Sequence, residues 1–252
     1  MSDAPQQIRV LCDDPLDGPR NMARDEALLT RVGSGDSEPT LRLYQWNPPT
    51  MSLGYFQRFA DYDALEPPAG RIDVVRRLTG GGAILHDREW TYSLALPVSH
   101  PLLTGNAARL YELVHDALID TLSLLNVRTQ RCGSTDDSSA GRGHFFCFDR
   151  RHCLDVLLDG QKLAGSAQRR TPQAVLQHGS IILSNRYQQH HVASITEHID
   201  LDDQALLTPF IDSLEQRLDV KLKEGEWSEN ELARAEDLAA KYGGEKWTRE
   251  YP

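Results

Sequence analysis

Two stretches of this 252-residue sequence carry side chains that could do chemistry. The first is Arg76 to His86, RRLTGGGAILH. Three consecutive glycines remove every Cβ at the point where backbone can come closest to a ligand. Arg76 and Arg77 offer planar forks of donors suited to carboxylate or phosphate. Thr79 adds a hydroxyl and His86 a titratable ring. The motif is neither a Walker A loop nor a dinucleotide fingerprint, because no Gly-Lys-Ser follows and the G-x-G-x-x-G spacing is absent. Taken alone, the triplet favours a glycine-rich hairpin turn. The second stretch is Gly160 to Gly179, GQKLAGSAQRRTPQAVLQHG. Lys162 stands just past a tight turn, and its neighbours Ala164, Gly165, Ser166 and Ala167 are small enough to leave room beside its stem. Gln168 and His178 can orient a polar group. Singly, each also fits a bland role: Lys162 as a solvated strand lysine, His178 as a satisfied core histidine.

The four cysteines, Cys12, Cys132, Cys147 and Cys153, form no C-x-x-C pair. A chain this long needs no disulfide staples, so they read as thiols in a reducing, cytoplasmic compartment. His144, Cys147, His152 and Cys153 gather zinc-capable types but lack paired ligand spacing, and no metal site is expected.

These residues need a scaffold, and the rest of the chain describes one. Ile8–Leu11 reads as a strand. Asp17-Gly18-Pro19 opens a helix that Gly33 ends. Thr40–Trp46, Ile72–Val75 and Glu89–Pro97 read as strands, the last half-buried, with Trp90, Tyr92, Leu94 and Leu96 on one face. Asn106–Asn126 carries one broad apolar stripe and reads as a helix. Leu154–Leu158, Asp159-Gly160 and Lys162–Arg169 read as a hairpin, followed by a strand at Ala174–Leu183. Helices are expected near 203–218 and 229–242, making 203–252 a helical C-terminal segment. Residues 133–143 read as a flexible loop. Hairpin signals favour a mixed, mostly antiparallel sheet with flanking helices, an α+β class in a single domain over 1–252.

Composition narrows the function. The formal net charge is −10, against the basic balance common in nucleic-acid binders, so no nucleic-acid partner is expected. Mean hydropathy is −0.48, and no apolar run approaches the ~20 residues of a membrane-spanning helix, so no membrane partner is expected either. The opening MSDAPQQ has neither the basic nor the apolar region of a secretory signal. Charge is uneven: residues 201–252 hold 13 acids and 7 bases, whereas 142–170 hold six bases and three acids. That basic segment, with Arg150 and Arg151, suits docking of an acidic partner.

Taken together, RRLTGGGAILH, the later Lys-x-x-Gly-Ser-Ala-Gln run and the Gln-His-Gly resemble the biotin/lipoate protein ligase catalytic-domain family. The resemblance extends from Asn21–Leu28, similar to that family's first helix, to Ala240-Lys241-Tyr242 and Trp247. It implies a class II synthetase-like α+β fold. It places substrate binding on Arg77, Thr79, Gly80, Gly81, Gly82, Ala83 and His86, and on Gly165, Ser166, Ala167, His178 and Gly179, with Lys162 at the activated acyl group. Cys147, fifteen positions before Lys162, is similar to the cysteine of the cysteine-dependent (LipM) octanoyltransferases. The LipB type instead carries its cysteine after the lysine.

The implied reaction moves an octanoyl or lipoyl group from acyl carrier protein to Cys147, and then to a lysine of a lipoyl domain, in glycine cleavage H protein or a dehydrogenase E2. No cofactor is implied. Lys162 would stabilise the thiolate and hold the oxyanion, while the general base stays open between His178 and His86. An ATP- and Mg-dependent lipoate-protein ligase acting through lipoyl-adenylate is the alternative, and a non-catalytic acyl- or lipoyl-binding module is the second.

Overall fold

The computed structural model describes residues 6–133, 145–149 and 151–251. Most of the 133–143 loop, along with His144 and Arg150, lies outside them. In chain order the elements are β1 (Gln6–Cys12), α1 (Gly18–Ser34), β2 (Thr40–Tyr44), β3 (Thr50–Leu53), α2 (Phe59–Asp63), β4 (Asp73–Arg76), β5 (Ile84–His86) and β6 (Arg88–Pro97). They continue with α3 (Ala108–Leu124), β7 (Thr129–Arg131), β8 (Val156–Leu158), β9 (Gln161–Arg170), β10 (Ala174–Ser184), α4 (Leu207–Leu218), β11 (Val220–Glu224), α5 (Glu229–Tyr242) and α6 (Glu245–Thr248).

Among the described residues the strands form two sheets. The larger runs β11-β1-β2-β6-β10-β9-β8-β7, and the smaller runs β4-β3-β5. Only the β11–β1 and β1–β2 pairs of the larger sheet are parallel, which agrees with the expected mixed, mostly antiparallel α+β arrangement. Leu110, Val114, Ala117, Leu118 and Leu122 of α3 pack with Phe210 and Leu214 of α4 against Tyr92, Leu94 and Leu96 of β6. On α1, Leu28, Leu29 and Val32 pack with Ala95, Ala174 and Leu176, and Met22, Ala23 and Ala27 cluster with Ala235 and Leu238 of α5.

β6 is therefore buried on both faces rather than half-buried. Its second face is made of Thr91, Ser93 and Ala95, small enough for a helix to lie on. The polar members have partners: Ser93 Oγ donates to Asp25 Oδ1 at 2.9 Å, and Trp46 Nε1 donates to Thr91 at 2.8 Å. α1 ends two residues later than expected, with Gly35 at φ 79° taking the left-handed cap position. The C-terminal segment is not all helical. Val220–Glu224 adds a parallel strand beside β1, a five-residue run with charged alternate positions whose pairing is set by the partner strand. β3 and β5 were also unexpected, each being too short to show a period.

His190 is buried between the rings of Phe146 and Phe148, at centroid distances of 5.6 and 5.2 Å. Its Nε2 meets no hydrogen-bond partner among the described residues. Burial first, and then the neighbouring His86, push its pKa from 6.5 down to about 3. The unfolded chain thus binds a proton below pH 6.5 that the folded chain refuses. Stability from this group is full above 6.5 and is lost as pH falls towards 3, by about 1.4 kcal/mol per unit. His190→Phe should remove that share of the slope in denaturant titrations between pH 6.5 and 4.5. An unchanged slope would show that His190 titrates normally in the folded protein.

Candidate active site

The glycine loop, the segment around Cys147, β9 and β10 line a cavity of about 270 Å³. Met22, Tyr44, Trp46, Ile84 and Phe148 give it apolar walls. The Trp46 ring stacks on His86 at 3.8 Å with 10° between planes.

Cys147 is fastened to the glycine loop by backbone. Its N–H donates to the Ala83 carbonyl at 2.7 Å, and the Ala83 N–H donates to the Phe145 carbonyl at 2.9 Å. Gly82 permits this approach, since a Cβ there would lie 2.7 Å from the Cys147 nitrogen. Gly81 has φ 99°, and the Cβ it lacks would face Cys147 Sγ at 3.8 Å. Gln57 clamps both sides, accepting from the Gly54 N–H and donating to the Phe145 carbonyl, each at 2.9 Å.

Lys162 Nζ lies 3.9 Å from Cys147 Sγ, 3.5 Å from its carbonyl oxygen and 2.8 Å from Asp155 Oδ2. Asp155 is itself held by the His152 N–H at 2.7 Å. Burial opposes the ammonium, but the Cys147 sulfur and the Asp155 carboxylate outweigh it, and the lysine pKa stands above its ordinary value. Lys162 is thus a fixed cation at neutral pH.

The backbone puts it there. Asp159 and Gly160, at φ 49° and 77°, form the tight turn of the hairpin. The β8–β9 register pairs Leu157 with Lys162 but Val156 with Ala164, so one extra residue bulges β9. The bulge shifts the alternation so that Lys162 and Gly165 share a face. A Cβ on Gly165 would stand 2.4 Å from Lys162 Cε and 2.7 Å from Nζ. Gly165→Ala should therefore displace the ammonium while leaving the fold, because the obstructed atoms are the tip of a flexible chain. We expect acyl transfer to fall by about 10²-fold, the scale of one lost electrostatic donor, with circular dichroism unchanged and the denaturation midpoint lowered because the displaced ammonium also leaves Asp155. Wild-type turnover in this variant would show that Lys162 has no role at its observed position.

Arg77 organises the glycine loop from behind. Its Nη2 donates to the carbonyls of Gly80 and Gly82 at 2.8 and 2.7 Å. Nη1 reaches the Ser52 carbonyl and hydroxyl at 2.9 and 3.2 Å, and Nε reaches Thr79 Oγ1 at 3.1 Å. Each hydroxyl leads to a histidine and then to a carboxylate. Ser52 meets His86 Nε2 at 2.7 Å and Glu89 meets His86 Nδ1 at 2.7 Å. Thr79 meets His178 Nε2 at 2.7 Å and Asp25 meets His178 Nδ1 at 3.0 Å. An ionised carboxylate only accepts, so Nδ1 of each ring carries a proton aimed at the carboxylate, while Nε2 faces the hydroxyl. Burial holds His86 below the usual histidine range even with Glu89 beside it. Burial would raise the Asp25 pKa, but the His178 hydrogen bond and the Arg42 charge, 2.8 Å away, bring it below the ordinary value.

Arg76 is fully buried, and its fork takes backbone carbonyls of Gly54, Tyr55, Gln57 and Thr248. Neither arginine presents an empty fork to an anion as the sequence suggested; both hold the loop in shape.

Of the residues expected from sequence, Arg77, Gly80, Gly81, His86 and Cys147 line the cavity. So do Gly165, Ser166, Ala167, His178 and Gly179. Thr79, Gly82, Ala83 and Lys162 adjoin these through the contacts above. Cys153 is exposed, with its thiol 4.0 Å from the His152 ring. Arg151 is exposed and donates to the Gly160 carbonyl. Sequence reasoning missed Asp155, Ser52, Trp46, His115 and the role of Asp25. Asp25 lay inside the first-helix motif, where its helical spacing gave no hint of a histidine partner on β10.

Comparison with known proteins gives concordant relationships. Residues 17–210 match the model of the lipoyl protein ligase A/B catalytic domain. Octanoyltransferase LipM of Kyrpidia tusciae is 35% identical, over 90% of this chain and 93% of that protein. A lipoate-protein ligase A crystallised with ATP superposes with a TM-score of 0.79 at 21% identity, covering 98% of this chain and all of that one. A bipartite lipoate protein ligase of Thermoplasma acidophilum, described with its E2 lipoyl domain, gives a TM-score of 0.74 at 20% identity, over 98% of both chains.

Proposed function

Since this chain belongs to the lipoyl protein ligase A/B catalytic domain family, we infer that it is a protein octanoyltransferase of lipoylation, working through an acyl-thioester on Cys147. The observation that carries this reading is the pairing of Cys147 Sγ with the Lys162 ammonium, 3.9 Å apart, at an apolar cavity. An octanoyl thioester on acyl carrier protein enters the cavity. Six buried methylenes at about 0.8 kcal/mol each contribute roughly 5 kcal/mol to holding the chain. The Cys147 sulfur bonds to the carbonyl carbon and the carrier thiolate leaves. Lys162 faces the charge that develops on the oxygen, the kind of electrostatic stabilisation that dominates many acyl transfers. The ε-amine of a lysine on a lipoyl domain then attacks the acyl-enzyme and leaves as an amide. Covalent capture divides one transfer between two bulky carriers into successive visits to a single site.

The chemistry proposed for these residues draws on no cofactor. The test is intact-mass analysis after mixing the protein with octanoyl acyl carrier protein, without nucleotide. We expect one octanoyl adduct, mapped to Cys147, that is discharged by a lipoyl domain. No adduct, with transfer requiring ATP, Mg and free lipoate, would assign the protein to the adenylating ligases instead.

A further inference from the structure

We propose that Ser166, backed by His115, takes the proton from the lysine amine in the second half-reaction, with Ser166 catalytic and His115 positioning it. This rests on the acyl-enzyme reading above. Ser166 follows Gly165 on β9 and lines the same cavity as Cys147. Its Oγ lies 2.6 Å from His115 Nε2 and 2.6 Å from the Tyr92 hydroxyl. His115 Nδ1 meets the Leu154 carbonyl, which only accepts, so Nδ1 carries the hydrogen and Nε2 offers its lone pair. The Tyr92 oxygen accepts from Gln177 Nε2 at 2.8 Å, so its own hydrogen points to Ser166. The Ser166 hydrogen is left directed at His115. Gly179 makes room for this hydroxyl, since a Cβ there would lie 2.4 Å from Ser166 Oγ.

The other candidates are engaged. His86 and His178 each meet a hydroxyl that also receives Arg77, and each donates to a carboxylate; they serve the glycine loop. Lys162 is held as a cation by Asp155. Among the described residues, Ser166 at the cavity wall with His115 behind it is a hydroxyl–imidazole pair whose hydrogen bonds involve neither Arg77 nor a carboxylate. In the proposed step the unprotonated amine nitrogen bonds to the acyl carbon and becomes positively charged. Its proton passes to Ser166 Oγ as the Ser166 proton passes to His115 Nε2. The C–S bond then breaks, and its electron pair stays on the Cys147 thiolate beside Lys162. The His115 proton returns through Ser166 to solvent as the amide product leaves.

The experiment separates the half-reactions. Wild type, Ser166→Ala and His115→Gln are first acylated with octanoyl acyl carrier protein. Each is then chased either with a lipoyl domain or with hydroxylamine, which is unprotonated at neutral pH and loses its proton readily. We expect both variants to slow lysine transfer by about 10²-fold or more beyond any change in their acylation, the usual worth of a general base. Hydroxylamine should discharge them as fast as it discharges wild type. Lysine transfer at the wild-type rate, or equal slowing of acylation and both chases, would overturn the proposal, the second by showing a purely structural role. Absence of any adduct in wild type is a separate result, which overturns the acyl-enzyme reading and this proposal with it.

Discussion

Cys147→Ala should give a folded protein that forms no octanoyl adduct and transfers nothing measurable. Loss of a covalent nucleophile in a comparable acyl-transfer machine costs on the order of 10⁶-fold in kcat. The fold should survive because Cys147 is held by its backbone: the N–H bond to Ala83 and the Gly82 approach are unaffected by the side chain. Its sulfur is only partly buried, so truncation leaves no sealed core cavity. Circular dichroism and a denaturant midpoint should match wild type, while intact mass shows no adduct. Full transfer by Cys147→Ala would remove the thioester from the mechanism.

Lys162→Ala should fail in two ways at once, and a second substitution separates them. Removing the ammonium leaves Asp155 buried without its cation, which costs about 3–5 kcal/mol when one partner of a buried pair is deleted. It also removes the charge facing the oxyanion, slowing acylation by roughly 10²–10³-fold. Lys162→Ala combined with Asp155→Ala takes away both charges, so most of the lost stability should return while the slow acylation stays. Denaturant curves beside single-turnover acylation provide both readouts. If the double variant regained activity along with stability, the lysine would be a structural partner of Asp155 and nothing more.

How much was legible depended on range along the chain. Signals carried by neighbours were readable: the Asp-Gly turn before Lys162 and the stripe of Asn106–Asn126. The motif residues around the cavity were readable because each carries unusual local chemistry. What escaped were pairings made across the fold. Asp155 sits seven positions before Lys162, yet only a bulged register aims the lysine at it. Asp25 and His178 are 153 positions apart, and β10 must lie under α1 before they meet. Arg76 and Arg77 were misjudged for the same reason. A guanidinium fork suits a ligand anion or a ring of backbone carbonyls equally well, and which it meets is decided by tertiary structure.

The Arg76 contacts also bear on biosynthesis. Its fork takes the Thr248 carbonyl, and Trp247 returns a bond from its indole nitrogen to the Arg76 carbonyl at 2.9 Å. A ribosome that has already released the glycine loop and Cys147 has yet to make these last acceptors. Until they emerge from the exit tunnel, a guanidinium that is fully buried in the finished protein lacks part of its hydrogen-bond shell, and burying such a charge is unfavourable. The frame that Arg76 gives the glycine loop is therefore completed only after Trp247 and Thr248 have been added.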